Sequence, residues 1–259
     1  MDSELNKKIE LSIKILKNSK NIVALTGAGI STESGIPDFR SPGTGLWTKN
    51  DPMKYASIDA FLENPASYWE RAIDPSGLGN KILDSEPSKS HLALAELEKI
   101  GLLKSVITQN IDNLHQKAGN TDVIELHGTI FTAHCMNCKT RYKRRHVLEW
   151  VKEGELPPLC KKDGCEGILK SDTILFGESL PQDALSRAIK ISRNCDCMIV
   201  LGSSLVVTPA AHLPILAVKN GAELIIINIQ KTPKDHLARI VINQKIGKVI
   251  PKIIDKLKD

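Results

Sequence analysis

Residues 22–32 read IVALTGAGIST, and this stretch decides the fold. Its first four residues are apolar and mostly β-branched or Leu, as expected of a strand that is buried on both faces. Two glycines, Gly27 and Gly29, then form a tight turn. A buried strand that runs into such a turn is typical of the first unit of an α/β sheet, where backbone amides can receive a phosphate.

The turn departs from the usual dinucleotide fingerprint. That fingerprint has a third glycine or alanine three residues after the second glycine, where this chain has Thr32. An acidic residue about 20 residues further on, at the end of a second strand, is also missing from the sequence pattern. The sequence therefore disfavours a hydride-transferring dehydrogenase, although the turn can still bind a pyrophosphate.

Four later segments have the same form, a short run of Val, Ile and Leu followed by small or polar residues. They are residues 103–107, 123–126, 198–201 and 224–227. Helical periodicity is predicted at residues 4–17, before the first strand, and between later strands at residues 90–100 and 181–193, with Pro181 as the first helical residue. Strands that alternate with helices predict an α/β fold with a doubly wound, parallel, Rossmann-like sheet.

All five predicted strands end in small or polar groups. These ends are Thr26-Gly27, Gln109-Asn110, His127, Ser203-Ser204 and Asn228. Ligands of open α/β sheets bind beyond the carboxyl ends of the strands. An ordinary turn would explain any one of these ends, but the agreement of all five favours a single ligand-binding crevice.

Two close cysteine pairs predict a structural zinc site. The pairs are Cys135/Cys138 and Cys160/Cys165, separated by residues 139–159. Two pairs at about this spacing typically bind one tetrahedral ion, and four thiolates leave no position for an activated water. Incidental buried cysteines are the alternative. The remaining two cysteines, Cys195 and Cys197, precede an apolar run and are predicted to be core thiols.

Composition excludes several classes of protein. Hydrophobic residues make up 41% and charged residues 25%, as in ordinary globular domains. The net charge of +5 comes from interspersed signs, so nucleic acid is not expected as a partner, and the basic residues at 139–146 are predicted to be a solvated face. No apolar run reaches the roughly 18 residues of a membrane span. The N-terminus is charged and lacks a signal sequence, and the cysteines are not expected to form disulfides. These features predict a cytoplasmic protein that does not bind membranes.

Two stretches do not fit the sheet pattern. Residues 41–86 are rich in Pro, Gly and aromatic residues, and residues 131–169 contain the cysteine pairs. We expect residues 1–40, 87–130 and 170–259 to form the main, Rossmann-like domain. A smaller inserted domain would combine a helical part at 41–86 with a zinc module at 131–169.

Five motifs resemble those of the sirtuins, the NAD-dependent protein lysine deacylases. They occur in that family's order and lie on the predicted strand ends or just after them: residues 27–41, 108–112, 126–128, 176–178 and 202–210. The cysteine pairs lie where the family has its zinc module. The resemblance implies an enzyme that consumes NAD and carries one structural Zn²⁺ per chain. It also implies that the main domain binds NAD and that residues 41–86 contain a cofactor loop.

The resemblance also implies where NAD binds. Its pyrophosphate would lie against the first glycine turn near Arg40, and Phe39 would cover the reacting ribose and exclude water. The implied cofactor-binding residues are Gly27, Ala28, Gly29, Asp38, Phe39, Arg40, Gln109, Asn110, Ile111, Asp112, Gly202, Ser203, Ser204 and Asn228.

Three residues are implied to be catalytic: His127, Asn110 and Asp112. His127 would be the general base, since an imidazole titrates near working pH, and the other two would guide the nicotinamide. In the family's reaction the acyl group of a lysine passes to the ribose, giving O-acyl-ADP-ribose. A strand-end histidine is more often structural, but the position of His127 before Gly128 and beside the other motifs favours the base. The remaining histidines are expected to be structural: His91, His115, His134, His146, His212 and His236.

The implied substrate is an acetylated-lysine protein or peptide, bound as an added strand. Its contacts would be Phe176, Gly177, Glu178 and Val206. Sirtuins that remove acidic acyl groups have a Tyr and an Arg three residues apart, and Ala72 and Pro75 occupy that register here. A neutral acyl group, acetyl first, is therefore predicted.

Two alternatives remain open besides the deacetylase. A mono-ADP-ribosyltransferase would use the same activated sugar with a different acceptor. A non-catalytic zinc-ribbon binding module would use the cysteine pairs and leave the strand ends without a chemical role.

Overall fold

Nine strands form two separate sheets in the residues that the computed structural model describes, which are 2–43, 45–48 and 51–258. The strands are β1 (Ile22–Thr26), β2 (Leu103–Thr108), β3 (Val123–Glu125), β4 (Gly128–Cys135), β5 (Arg141–Lys143), β6 (Leu169–Thr173), β7 (Cys197–Leu201), β8 (Glu223–Ile227) and β9 (Ile240–Ile242).

Eleven α-helices accompany the strands over the same described residues. They are α1 (Asp2–Asn18), α2 (Pro52–Ala56), α3 (Ile58–Glu63), α4 (Pro65–Ile73), α5 (Leu78–Leu83), α6 (Lys89–Lys99), α7 (Leu114–Ala118), α8 (Arg144–Lys152), α9 (Gln182–Asn194), α10 (Leu213–Lys219) and α11 (Ile246–Lys258). None of these helices combines the length and the apolar character that a membrane span requires.

The chain divides into two compact units. Unit 1 consists of Met1–Asp38, Glu86–Leu126 and Pro181–Asp259, and unit 2 consists of Phe39–Ser85 and His127–Leu180. Unit 1 contains the larger sheet, with β1, β2, β3, β7, β8 and β9, and unit 2 contains the smaller one, with β4, β5 and β6.

The sheet of unit 1 confirms the predicted doubly wound parallel fold. Its strand order is β3-β2-β1-β7-β8-β9, and every pairing is parallel. The chain first moves outward from β1 to β3, then returns to the other side of β1 and moves outward from β7 to β9. This reversal makes the carboxyl ends of β1 and β7 the topological switch point, where ligands of such sheets bind.

The five predicted strands are all present, and each residue of β1 and β7 is buried. The sixth strand, β9, was not predicted, because its apolar run, residues 240–242, is shorter than any of the runs that were identified as strands. Helices are found at all three predicted positions, as α1, α6 and α9. Pro181 precedes α9 as its N-cap residue, so its predicted place as the first helical residue was wrong by one position.

Unit 2 is built on an antiparallel sheet with the strand order β5-β4-β6. Trp69 of α4 is completely buried in its core, and the indole Nε1 donates a hydrogen bond of 2.8 Å to the Leu169 carbonyl. Arg144 of α8 is also buried, with its guanidinium 5.7 Å from the Trp69 ring and its Nη1 3.4 Å from Ser171 Oγ. This unit therefore has an aromatic and partly polar core, in contrast to the aliphatic core of unit 1.

The turns after β1 and β7 meet backbone to backbone inside unit 1. The Gly29 amide donates to the Gly202 carbonyl at 3.0 Å, and the Gly27 amide donates to the Leu201 carbonyl at 3.0 Å. Gly202 has a left-handed φ of +64°, and a Cβ on it would lie 2.6 Å from the Ile30 nitrogen. Glycine is thus required here by the approach of two backbones as well as by φ.

The substitution Gly202→Ala tests this requirement, with Gly221→Ala as the matched control. Both glycines have positive φ, but nothing lies within 4 Å of a Cβ built on Gly221. We expect Gly221→Ala to lower the free energy of unfolding by about 1 kcal/mol, the backbone cost alone. Gly202→Ala should lose at least about 3 kcal/mol, because the turns must also separate. Urea unfolding measures both, and equal losses would contradict the steric argument.

Candidate active site

Three backbone amides at the switch point of unit 1 lack acceptors. Within the described chain, neither a carbonyl nor a side chain accepts from the amides of Ala28, Ser203 or Ser204. Ser203 is buried, and Ala28 and Ser204 are half-buried. Free amides at strand ends and turns form cradles for anions, which makes these three suited to a pyrophosphate.

The predicted ribose-binding residues lie beside these amides. Gln109 follows β2, and its Nε2 donates a hydrogen bond of 2.8 Å to Ser203 Oγ. The Gln109 amide donates to the Thr26 carbonyl at 3.0 Å, which ties the end of β2 to the end of β1. Asn228 follows β8, and its Nδ2 donates to the Gln230 carbonyl at 2.8 Å, which shapes the turn there. Hydrogen bonds therefore join the ends of β1, β2 and β7 into one group, and Asn228 lies at the end of the next strand, β8.

Asn110 and Asp112 are joined through a residue that the sequence analysis did not select. Ser31 is 1% exposed and accepts from Asn110 Nδ2 at 3.1 Å, while its own hydroxyl donates to Asp112 Oδ2 at 2.7 Å. Asn110 Nδ2 also lies 3.3 Å from the Gly27 carbonyl. The only sign of this role in the sequence was the polar side chain of Ser31 within a glycine turn, and polar residues are ordinary in turns.

Burial raises the pKa of the Asp112 carboxyl, although hydrogen bonds from Ser31 and from the Leu114 amide partly offset this. A buried carboxylate that accepts two hydrogen bonds is rigidly oriented, and it can accept from an amide of a ligand. The two other predicted residues of this unit, Asp38 and Ile111, are half-buried.

In unit 2, Phe39 belongs to an aromatic cluster. Its ring stacks on Trp47 with centroids 5.2 Å apart and an interplanar angle of 22°, and Trp47 lies edge-on to Phe176 at 6.3 Å. Trp47 was not predicted as a site residue, since a lone tryptophan in a Pro/Gly-rich stretch does not reveal its partners. Arg40 is exposed, and its backbone is close to Gly45, where a Cβ would lie 2.7 Å from the Arg40 nitrogen.

His127 lies in unit 2, immediately before β4, and is half-buried. Its carbonyl accepts a hydrogen bond of 2.9 Å from the Ile174 amide. The next residue, Gly128, has a left-handed φ of +68°, and a Cβ there would overlap the Asp172 carbonyl. The backbone on both sides of the imidazole is thus held by the strand β6 and the residues that follow it.

The predicted substrate loop is anchored through its backbone in unit 2. The Phe176 amide donates to the Ala56 carbonyl at 2.8 Å, and the Phe176 carbonyl accepts from the Ile58 amide at 2.9 Å. Gly177 has a φ of +89°. Val206, the predicted substrate residue of unit 1, leaves 58% of its side chain exposed, an apolar surface that a peptide could cover.

A buried ion pair fixes the end of this loop. Lys170 is 1% exposed, and its Nζ lies 2.8 Å from Glu178 Oε2 and donates to the carbonyls of Ser171 and Thr173. Glu178 Oε2 also accepts from the Leu175 amide at 2.8 Å. The Glu178 carboxylate therefore anchors the loop. This role supports the predicted substrate strand and does not present the negative charge of Glu178 to the substrate.

The residues that could bind an acidic acyl group do not form a pair. Arg71 is exposed, donates from Nη1 to Ser67 Oγ at 2.7 Å, and lies over the Tyr55 ring. Tyr68 instead packs edge-on against Phe61 and Trp69. Their three-residue spacing in the sequence thus reflects two separate packing roles.

The four paired cysteines converge in unit 2. Their sulfurs all lie within 4.8 Å of one another, with 3.6 Å between Cys135 and Cys165 and 3.6 Å between Cys138 and Cys160. A tetrahedral ion with Zn–S bonds of about 2.3 Å would hold its sulfurs about 3.8 Å apart, whereas a disulfide needs about 2 Å. The donor set and its spacing fit zinc.

Neighbouring groups support this cluster. Hydrogen bonds from Thr140 lower the pKa of Cys138 to about 6, which favours the thiolate that a metal needs. Gly167 lies against the cluster, and a Cβ on it would be 2.5 Å from Cys135 Sγ. Cys195 and Cys197 lie apart from the cluster, in unit 1, and burial raises their pKa values to about 11 and about 12, as expected of core thiols.

A pair of buried histidines lies in unit 1, on the helices α6 and α7. His91 and His115 are at most 1% exposed, and their ring centroids are 4.8 Å apart. Burial lowers the pKa of His91 to about 3 and that of His115 to about 4. Both rings are therefore neutral in the folded protein at neutral pH.

The fold and the strand-end geometry define a family. The sequence profile of the Sir2 family matches residues 27–209, which is well over half of the chain. The chain belongs to the Sir2 family, and the resemblance seen in the five sequence motifs is confirmed.

Relatives and solved structures agree with this assignment. The NAD-dependent protein deacetylase of Caldivirga maquilingensis is 47% identical over 94% of this chain and 91% of its own length. The NAD-dependent protein deacylase 2 of Archaeoglobus fulgidus is 45% identical over 100% of this chain and 98% of its own length. A solved Sir2 variant with a deacetylated p53 peptide and 3'-O-acetyl-ADP-ribose superimposes with a TM-score of 0.87 at 40% identity, over 96% of this chain and 98% of that one.

Loss of one zinc ligand is expected to release the metal. Cys135→Ser should reduce bound zinc from one ion per chain to none and should melt unit 2 at a lower temperature, because structural zinc contributes directly to folding. Cys195→Ser is the matched control, a buried cysteine of unit 1 that lies outside the cluster. Elemental analysis of the purified variants decides the point, and full zinc content in Cys135→Ser would contradict the assignment.

Acid is expected to destabilise unit 1 through its buried histidines. In the unfolded chain both histidines bind a proton with a pKa of 6.5, but in the folded protein they do so only with pKa values of about 3 for His91 and about 4 for His115. Between these pH values the unfolded chain binds more protons than the folded protein. The free energy of unfolding should therefore be highest above pH 6.5 and fall towards pH 4, by up to about 1.4 kcal/mol per pH unit for each ring.

Urea unfolding between pH 7.5 and 4.5 measures this slope. His115→Gln should reduce the slope, whereas His212→Gln, at an exposed position of the same unit, should leave it unchanged. Identical slopes in all three proteins would show that the buried rings do not cause the acid sensitivity.

Proposed function

We propose that this member of the Sir2 family is an NAD-dependent protein lysine deacetylase that acts on neutral acyl groups. One observation carries the proposal: a buried polar network, Asn110–Ser31–Asp112, lies beside three free amides at the switch point of a parallel sheet. Such an arrangement suits a ligand with both an anionic pyrophosphate and an amide-bearing ring. Relatives that are named as deacetylases or deacylases over nearly the whole chain support the same activity.

The amides of Ala28, Ser203 and Ser204 would hold the pyrophosphate, and Gln109 would hold a ribose hydroxyl. Asn110 and Asp112 would orient the carboxamide of the nicotinamide, since one donates and the other accepts. Bound NAD would supply an electrophilic sugar carbon, and acetyl-lysine, NAD and water would together give lysine, nicotinamide and O-acetyl-ADP-ribose. The assignment of residues 1–40, 87–130 and 170–259 to an NAD-binding domain stays a prediction.

His127 would accept the proton of a ribose hydroxyl at a ring nitrogen. The backbone on both sides of it is fixed, so the ring can be aimed without reorganisation. Phe39 and its stacked partner Trp47 would exclude water, which would otherwise capture the activated sugar.

The substrate would be an acetylated-lysine peptide that adds as a strand along residues 176–178 and Val206. Main-chain hydrogen bonds would give affinity with little demand on sequence. The neutral acyl preference rests on Ala72 and Pro75 in the register of the acidic-acyl residues and on the separate packing of Tyr68 and Arg71.

The zinc site would be structural, because four cysteine sulfurs complete a tetrahedron and leave no position for water. A cytoplasmic location is proposed from the six cysteines, which form no disulfide and are compatible with a reducing compartment. Immunolocalisation or cell fractionation tests that location.

Mass spectrometry of an acetyl-lysine peptide tests the activity. We expect the peptide to lose one acetyl group only when NAD is added, with O-acetyl-ADP-ribose as the other product. His127→Ala should reduce the rate at least about a hundredfold, the scale of a lost general base. Label from NAD on protein, with no acetyl-ADP-ribose, would instead indicate a mono-ADP-ribosyltransferase.

A fold control separates catalysis from stability. His127→Ala should keep the zinc content and melting temperature of the wild type, whereas Cys135→Ala should lose its zinc and melt at a lower temperature. If the two variants were impaired alike, in zinc content and folding as well as in rate, a non-catalytic zinc-ribbon module would be the better description. A succinyl-lysine peptide, offered in parallel, should be deacylated far more slowly than the acetyl peptide.

A further inference from the structure

A chain of buried hydroxyl groups connects His115 to Asn110 in unit 1. His115 Nε2 lies 2.9 Å from Thr26 Oγ1, the hydroxyl of the last residue of β1. Thr26 Oγ1 donates to Thr108 Oγ1 at 2.9 Å, and Thr108 Oγ1 accepts from the Asn110 amide at 3.0 Å. Thr26, Thr108 and His115 are each at most 3% exposed, so water does not compete for these contacts.

The hydrogen bond at the Asn110 end of this chain has a fixed direction, because a backbone amide can only donate and Thr108 must accept from it. With Thr26 donating its hydroxyl hydrogen to Thr108, Thr26 accepts from His115 Nε2.

The neighbouring histidine is held by a different contact. The Ser88 amide donates to His91 Nδ1 at 3.1 Å, so the proton of neutral His91 is on Nε2. The rings of His91 and His115 meet edge to face. The Asn120 side chain also lies within reach of the His115 ring, and because its Nδ2 donates to Glu98 Oε2 at 2.6 Å, its Oδ1 is the atom left to face the ring.

We infer that His115 is a positioning residue for Asn110, acting through the hydroxyls of Thr26 and Thr108. The chain holds the backbone of Asn110 from one side, while Ser31 and the Gly27 carbonyl hold its side chain from the other. Asn110 is thereby kept in one orientation before any ligand arrives. The inference rests on the proposed function, in which Asn110 orients the nicotinamide, and it gives a part in NAD binding to a histidine that the sequence analysis regarded as structural.

The test is NAD affinity in variants of similar shape. Thr26→Val removes the central hydroxyl without changing the side-chain volume much, and His115→Leu removes the terminal donor. Each should weaken NAD binding, measured by calorimetry on the zinc-loaded protein, by roughly tenfold, the scale of one buried hydrogen bond. The KM for the acetyl peptide should stay at the wild-type value.

Two further variants separate positioning from stability. His115→Gln keeps an N–H donor near the position of Nε2 and should restore most of the NAD affinity that His115→Leu loses. Thr232→Val also removes a buried hydroxyl of unit 1, one bonded to Asp235 Oδ1 at 2.6 Å, but it has no path to Asn110. It should lower the melting temperature and leave NAD affinity unchanged.

The His115 ring gives an independent readout. Long-range ¹H–¹⁵N spectra should show a shift of the Nε2 signal when Thr26→Val removes the hydroxyl, and no shift in Thr232→Val. An unchanged Nε2 signal in Thr26→Val would overturn the inference, as would wild-type NAD affinity in a folded Thr26→Val protein. If the wild type itself bound no NAD, the proposed function would fail instead, so the two failures are distinct.

Discussion

The close approach of two glycine turns is the constraint on which unit 1 depends. The turn after β1 donates two backbone hydrogen bonds of 3.0 Å, one to the last residue of β7 and one to the turn that follows it, and this approach is possible because neither Gly29 nor Gly202 has a Cβ. This contact aligns the carboxyl ends of the two central strands. It also uses the amides of Gly27 and Gly29 within the protein, so the amides left for an anion are those of Ala28, Ser203 and Ser204. The glycines make the site indirectly, by letting its two halves come together.

The second feature of the site is layering. Asn110 and Asp112 are joined by Ser31, and behind them lie the threonines and histidines of the hydroxyl chain. Each layer restricts the motion of the one in front of it, so that little reorganisation is needed when a ligand binds. Unit 2 uses a different means, since the aromatic stack on Phe39 and the buried pair of Lys170 and Glu178 fix its loops.

Much of this could be predicted from the sequence. The short apolar runs gave the positions of five strands, and their polar ends gave Gln109, Asn110 and Ser203 as neighbours. The cysteine spacing gave the zinc cluster. What could not be predicted depends on contacts between distant residues. The apolar run of β9 is shorter than those of the predicted strands, and Trp47 and Ser31 have ordinary sequence surroundings. His115 looked like any buried histidine, because its hydroxyl partner Thr26 is 89 residues away in the chain.

The ion pair of buried Lys170 and half-buried Glu178 has a consequence for how this sequence can change over evolutionary time. If Glu178 is replaced alone, the Lys170 ammonium loses its ionic partner in a desolvated place, and if Lys170 is replaced alone, the loop loses its anchor. A drift to two apolar residues would need both substitutions at nearly the same time. The pair is therefore expected to be inherited as a unit, exchanged for another ion pair or kept unchanged, while the exposed residues around it vary freely.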